Sequence, residues 1–222
     1  IKHSTHHIVP HTIRLNFYKQ KGNYIVLPNY PTKNTYEYAL ELSKSLKIGN
    51  NKLTLYINGW LVETRGKMMI LDFLKKLPEG LDIKILIATP QFEPEFKNNE
   101  YVVYLGTIPY NEALAYYFKS DLVFTFYDPR IEINKVATPN KWGDAILTNT
   151  IPVLNRGIKT VKDYFPKGGY IEIEYNNTND LVKSVLDYYK NDNLITKKKD
   201  ILRQYDKMFF DVKFKEVLET LY

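Results

Sequence analysis

The residues best suited to chemistry lie in one stretch, TPNKWGDAILTNTIPVLN, at residues 138–155. Thr138 has the side chain of an N-cap, and Pro139 suits the first helical position, where a missing N–H costs nothing. Asn149 stands where the chain must turn out of that helix, and Asn tolerates the left-handed conformation such stops use. Ile151, Val153 and Leu154 then form a short apolar strand. A helix start that faces a sheet crevice is an anion site, because unpaired amides and the helix dipole both favour phosphate. Lys141 sits in the first turn, where a cation opposes the dipole. Its placement is explained either by a contact with phosphate or sugar or by a plain surface position. Asp144 adds a carboxylate one turn on, available to hydrogen-bond donors or turned to solvent.

The elements that must position these groups follow from the apolar pattern. Short β-like runs occupy residues 24–28, 53–57, 83–87, 102–105, 122–126, 151–154 and 170–173. Between them lie helical segments at 36–46, 67–77, 111–118, 139–147 and 178–189, and residues 194–222 also carry a helical pattern. Alternation of this kind argues for an α/β fold, a Rossmann-like parallel sheet with helices on both faces. Ligands of such sheets bind beyond the carboxyl ends of the strands, near a switch point. Arg65 follows the run at 53–57, and an arginine there can clamp phosphate bidentately or simply be solvated. Arg130 and Lys135 follow the run at 122–126, and Ile108 lies two residues after Gly106.

Composition narrows the classes. The chain has 222 residues, 44% hydrophobic and 25% charged, without an apolar run long enough for a transmembrane helix. The absence of cysteine excludes disulfides, thiolate catalysis and Cys-ligated metal. A net charge of +6 admits nucleic acid, an anionic membrane surface or an anionic ligand as partner. No nucleic-acid motif accompanies it, and Lys197, Lys198 and Lys199 read as a solvated helix face beside Asp200. All four histidines, His3, His6, His7 and His11, cluster at the start of the chain. They lack an interleaved carboxylate and standard zinc spacing, so a strand near 7–9 and a helix over 12–19 explain them better than a metal.

The 138–155 stretch resembles the donor-binding segment of glycosyltransferases with two Rossmann-like domains, the GT-B fold, and in particular family 4. That family carries a pattern close to P-x-K-x-x-E-A-x-x-x-G-x-P-V-I. Pro139, Lys141, Asp144, Ala145, Asn149, Pro152 and Val153 match it, with one extra residue before Pro152. The resemblance implies that Asp144, in place of the usual Glu, accepts hydrogen bonds from the donor ribose. Thr138 and Asn140 at the helix start, with Lys141 and Arg65, then meet the diphosphate, and the backbone at Ile108 meets the base. A second family Glu falls at Val136, so a shifted loop would be needed to bring Glu132 or Asn134 to that role. The loop at 59–66 resembles G-R-x-x-x-x-K-G, with Arg65 at the second cation and Trp60 in place of the first. The loop at 88–92 lacks the family's Gly-rich turn.

The likeness runs from Asn29-Tyr30-Pro31, similar to the family's linker turn, to the C-terminus. It implies a remnant of an N-terminal domain and linker at residues 1–28 and a donor-binding domain at 29–190. Helices at 191–222 would pack back on the other domain, with Phe209, Phe210 and Phe214 as their apolar surface, or else on their own. A one-domain protein with an irregular start is the alternative. By resemblance the function is transfer of a hexose, with retention, from a nucleotide-diphosphate sugar to a glycan or lipid-linked acceptor. Neither metal nor other cofactor is implied, and the setting is the cytoplasm, free or, with a lipid-linked acceptor, at the inner face of the membrane. A non-catalytic relative of the same fold stays open, as does a sugar-nucleotide epimerase or a phosphorylase, although no cofactor-lysine motif for the last is visible.

Overall fold

Along the strand Leu53–Asn58, Leu53, Leu55 and Ile57 join one buried cluster while Tyr56 joins another. Burial on both faces is what a parallel sheet covered by crossover helices requires. The computed structural model describes residues 6–17, 22–204 and 208–219. Its elements run β1 (His6–Val9), a 3₁₀ turn (Thr12–Phe17), β2 (Asn23–Val26), α1 (Lys33–Ser45) and β3 (Leu53–Asn58). A 3₁₀ turn (Glu63–Arg65), α2 (Lys67–Lys76), β4 (Ile83–Ala88), α3 (Pro94–Lys97), β5 (Val102–Tyr104) and α4 (Tyr110–Tyr117) follow. Then come β6 (Leu122–Thr125), a 3₁₀ turn (Glu132–Val136), α5 (Asn140–Thr148), β7 (Ile151–Asn155), α6 (Val161–Tyr164) and β8 (Ile171–Ile173). The helices α7 (Thr178–Lys190), α8 (Asp192–Arg203) and α9 (Phe210–Glu219) complete the chain.

The main sheet has six strands in the order β5-β4-β3-β6-β7-β8, all parallel. The chain winds outward from β3 to β5, then returns to place β6 on the other side of β3. That reversal makes β3 and β6 the topological switch point, and open sheets of this kind bind their ligands beyond the carboxyl ends of the strands there. Ala39 of α1, Leu114 of α4 and Ala145 of α5 pack on one face, and Phe73 of α2, Leu181 of α7 and Leu202 of α8 on the other.

One expected strand lies elsewhere. The run at 24–28 reads as the first strand of the series, but β2 pairs in parallel with β1, in the register His7↔Tyr24 and Ile8↔Ile25, as a separate two-stranded sheet. The stretch between them is long enough for the crossover that parallel pairing demands. Of the helix expected over 12–19, the described part is the 3₁₀ turn. His11 pairs with Asp163 at 3.2 Å and stacks on Tyr164, while His3 lies outside the described residues. Among the described residues no group of three or more metal-ligating side chains occurs.

Helix α5 departs from expectation at its start. Pro139 is the N-cap, with no side-chain capping bond. The Thr138 hydroxyl instead accepts from Arg14 Nη1 at 3.3 Å, and the Thr138 carbonyl from Asn29 Nδ2 at 2.8 Å. The chain entering α5 is thus tied to two upstream segments, and the first amides keep no side-chain partner. The stop is as expected, with Asn149 left-handed at φ 57°. Buried Trp142 donates to Thr125 Oγ1 at 3.1 Å, which fastens α5 to the end of β6.

Beyond the Rossmann-like layer, α9 sits at the start of α1. Asp211 accepts from the Lys33 amide at 2.9 Å, Phe210 N donates to Pro31 O at 3.1 Å, and Phe209 meets Tyr36 edge-on at 5.4 Å. A carboxylate at a helix start is favourable because it faces the positive end of the dipole.

Gly143 fixes how deeply α5 seats. A Cβ there would lie 2.3 Å from the Asn29 carbonyl oxygen and 3.0 Å from Tyr30 Cα, both backbone atoms. Ala is the better helix former by about 0.8–1.0 kcal/mol, but forcing a methyl into packed backbone costs about 1–3 kcal/mol. Gly143→Ala is expected to lower the urea midpoint without changing the m-value. A raised midpoint would show that α5 is free to shift.

Candidate functional site

Two loops meet at the switch point. After β3 the chain turns at Gly59, φ 78°, whose amide donates to Ala88 O at 2.8 Å. It continues through the 3₁₀ turn that carries Arg65. Asp128 N, in the loop after β6, donates to Thr64 O at 3.0 Å and ties the loops together. Arg65 Nη1 donates to Asn134 Oδ1 at 3.1 Å, and its guanidinium lies 4.1 Å from the centre of the Tyr127 ring. Asn134 in turn donates to Asp128 O at 3.1 Å. A hydrogen bond and a cation–π contact therefore fix the guanidinium.

Helix α5 supplies the other wall. The Lys141 ammonium donates to the carbonyl of Asn58, the last residue of β3. A Cβ on Gly59 would stand 3.5 Å from Lys141 Cε, so the lysine runs directly against the turn. Burial, and then the nearby Arg65 charge, depress the Lys141 pKa to about 8. One turn on, Asp144 is only 2% exposed. Burial lifts its carboxyl to about 7, against the opposing pull of a 2.6 Å hydrogen bond from the Tyr110 hydroxyl and of the Lys141 charge.

The other anticipated residues are spread around this centre. Asn140 is the exposed first residue of α5, and Thr138 is buried behind it. Ile108 is half-buried and packs against the core on the α1 and α4 face. Arg130 forms a fork with Asp128, at 2.7 Å for the shorter contact, and Lys135 pairs with Glu132. Glu132 is exposed, Val136 is buried, and Asn134 is spent on Arg65. Trp60 stands 70% exposed beside Gly59.

No protein-family model matches the chain, and no curated protein matches its sequence. Solved structures do match. Anabaena HepE in complex with UDP-glucose aligns with a TM-score of 0.70 at 14% identity, over 98% of this chain and 64% of that one. The C-terminal domain of LpcC, a glycosyl transferase group 1 family protein from Francisella tularensis, aligns with a TM-score of 0.53 at 13% identity, over 78% and 91%. Sucrose-phosphate synthase from Thermosynechococcus elongatus gives 0.60 at 11%, over 97% and 58%. The chain has a GT-B glycosyltransferase-like fold. It spans less than two thirds of the length of HepE and of the synthase.

Within this GT-B-like domain, sequence reasoning passed over Tyr110 and Tyr127. Tyr127 directly follows β6, so an aromatic at a strand's carboxyl end was a usable signal. Tyr110 opens α4 like any helix residue, and only the fold brings its hydroxyl to Asp144.

Asp144 and Lys141 give stability a pH dependence. Folded, Asp144 keeps its proton up to about pH 7; unfolded, it loses it near pH 3.9. Between those values the folded chain binds more protons, so stability falls as pH rises through that window, by an amount on the order of 4 kcal/mol. Lys141 deprotonates near pH 8 when folded and near 10.4 when unfolded. There the unfolded chain binds more protons, and stability recovers with rising pH. Urea midpoints across pH 4–10 are expected to trace this dip. Asp144→Asn should remove the falling arm and keep the rising one, and an unchanged falling arm would reassign it.

Proposed function

We propose that this domain is the donor-binding half of a glycosyltransferase that moves a hexose from a nucleoside diphosphate sugar to a glycan or lipid-linked acceptor. The observation that carries this reading is the convergence of three groups at the switch point. Buried Asp144 and half-buried Lys141 rise from α5, and Arg65 stands fixed close enough to act on the Lys141 charge. Both cations make their hydrogen bonds to neutral oxygens, of Asn134 and of Asn58, so neither is taken up in a direct salt bridge among the described residues. In this reading Asp144 accepts from the ribose hydroxyls. Lys141, Arg65 and the first amides of α5, at Asn140 and beyond the Thr138-Pro139 entry, hold the diphosphate. The backbone at Ile108 borders the base.

During transfer the bond from the anomeric carbon to the diphosphate oxygen breaks, and its electron pair leaves with the diphosphate. The acceptor hydroxyl forms the new bond on the same face and passes its proton to the departing diphosphate oxygen, so configuration is retained. Negative charge grows on the diphosphate, where fixed cations and amides stabilise it most. No divalent metal or other cofactor enters this scheme. Acceptor contacts come from a second Rossmann-like domain, so this domain alone binds donor and transfers nothing. HepE structures that hold UDP and glucose, or UDP-glucose, support the donor class. The likeness to WaaG, a glycosyltransferase involved in lipopolysaccharide biosynthesis, supports a role in polysaccharide assembly. Among the described residues no helix is long and apolar enough to cross a membrane, and the net charge of +6 suits the anionic inner face of one.

Trp60 and Val136 favour a second reading, a non-catalytic relative, because both stand where functional side chains are expected. Calorimetry with UDP, GDP, ADP and their sugar conjugates decides between the two. One base is expected to bind selectively, and Asp144→Ala should weaken it about 10- to 100-fold, the value of a charged hydrogen bond. Circular dichroism should stay unchanged. Equal affinities for the variant and the parent would remove Asp144 from the site. Absence of binding by every nucleotide, in this domain and in a longer protein that contains it, would favour the non-catalytic reading.

A further inference from the structure

Three tyrosine hydroxyls lie near enough to feel the Asp144 charge, and they differ in kind. Tyr56 and Tyr117 have no exposed surface, and their hydroxyls donate to Ala113 O and Asn58 Oδ1, each at 3.2 Å. They are core residues with satisfied tips and cannot move without unpacking the sheet. Tyr110 is 47% exposed, yet its hydroxyl reaches inward to the buried Asp144 carboxyl at 2.6 Å. An exposed ring with an anchored tip belongs to a side chain that can swing away without unpacking a core. Its base is a turn with left-handed Gly106, φ 69°, followed by Pro109 as the N-cap of α4. The hydroxyl donates to an oxygen of the same carboxyl that a ribose hydroxyl would need.

We propose that Tyr110 is a latch on the ribose subsite: its hydroxyl occupies Asp144 in the empty domain, and a nucleotide must displace it to bind. This inference rests on the reading of Asp144 as the ribose acceptor. The latch has two effects. It gives a buried carboxyl a partner when no ligand is present, which avoids the penalty of an unsatisfied acceptor. It also lowers the apparent donor affinity by the fraction of molecules in which the latch is open. Donor affinity is thereby set by a residue that makes no contact in the bound state.

Tyr110→Phe keeps the ring and removes the competing hydroxyl. UDP-glucose is expected to bind it about tenfold tighter than the parent, and the gain should vanish when Asp144→Ala is added. Weaker binding by Tyr110→Phe would make the hydroxyl a ligand contact or a support for Asp144, and equal binding would make it a bystander. Either result overturns the latch. Failure of the donor reading looks different, because Asp144→Ala alone would then bind as the parent does. A ligand-free measurement gives a second check. The Asp144 carboxyl, followed by carbon NMR, should titrate higher in Tyr110→Phe than in the parent, and an unchanged midpoint overturns the latch whatever the nucleotides do.

Discussion

Desolvation of an acid and a base on one helix is the constraint the rest of this domain must satisfy. Asp144 and Lys141 lie on the same α5, and removing ionised groups from water costs several kcal/mol each before partners are counted. Tyr110 and the Asn58 carbonyl provide those partners, but they do not restore ordinary titration, as the raised carboxyl and depressed ammonium show. The opposing stabilisation comes from how α5 is held. Trp142 is buried and bonded to Thr125, Gly143 lies against the Asn29 carbonyl, and the Thr148, Thr150 and Tyr117 oxygens form a connected chain at the helix end. A weakly seated helix would relieve the burial by moving outward. This one is pinned at its entry, its middle and its exit.

The sheet order explains why the two walls meet. Because β6 returns beside β3, the loops after both strands leave the same edge side by side. The Thr64–Asp128 backbone bond and the Arg65–Asn134 bond cross between them. Arg65 is thereby held by residues of the loop after β6, and Lys141 by the last residue of β3. Each cation is oriented by the neighbouring strand's loop, so neither loop can move far alone.

Much of this was legible because it depends on local pattern. The alternating apolar runs gave the main strands and helices, and Pro139, Lys141, Asp144 and Asn149 marked α5 and its stop. What stayed hidden depends on distant partners. Thr138 has the right side chain for a cap, but Arg14 and Asn29 claim its oxygens. Residues 24–26 carry a strand signal that cannot say which sheet receives them. Asn134 and Glu132 are close in sequence, yet one is buried against Arg65 and the other faces solvent with Lys135. The Tyr110–Asp144 contact joins two helices whose spacing in the chain carries no trace of it.

On the donor reading, the charge count clarifies what Trp60 costs. A nucleoside diphosphate sugar carries two negative charges; Lys141 and Arg65 bring two positive ones, the dipole of α5 adds a fraction more, and an ionised Asp144 offsets part of them. Ground-state binding thus draws on two cations and a helix start without a cation at residue 60. Departure of the diphosphate creates a further negative charge, and only there is the third cation missing. An interaction needed in the transition state and not in the ground state governs turnover, not affinity. Trp60, its indole largely exposed, brings no charge to either state. On that reading, tight donor binding is compatible with slow release of the sugar, so binding alone is no measure of catalytic rate.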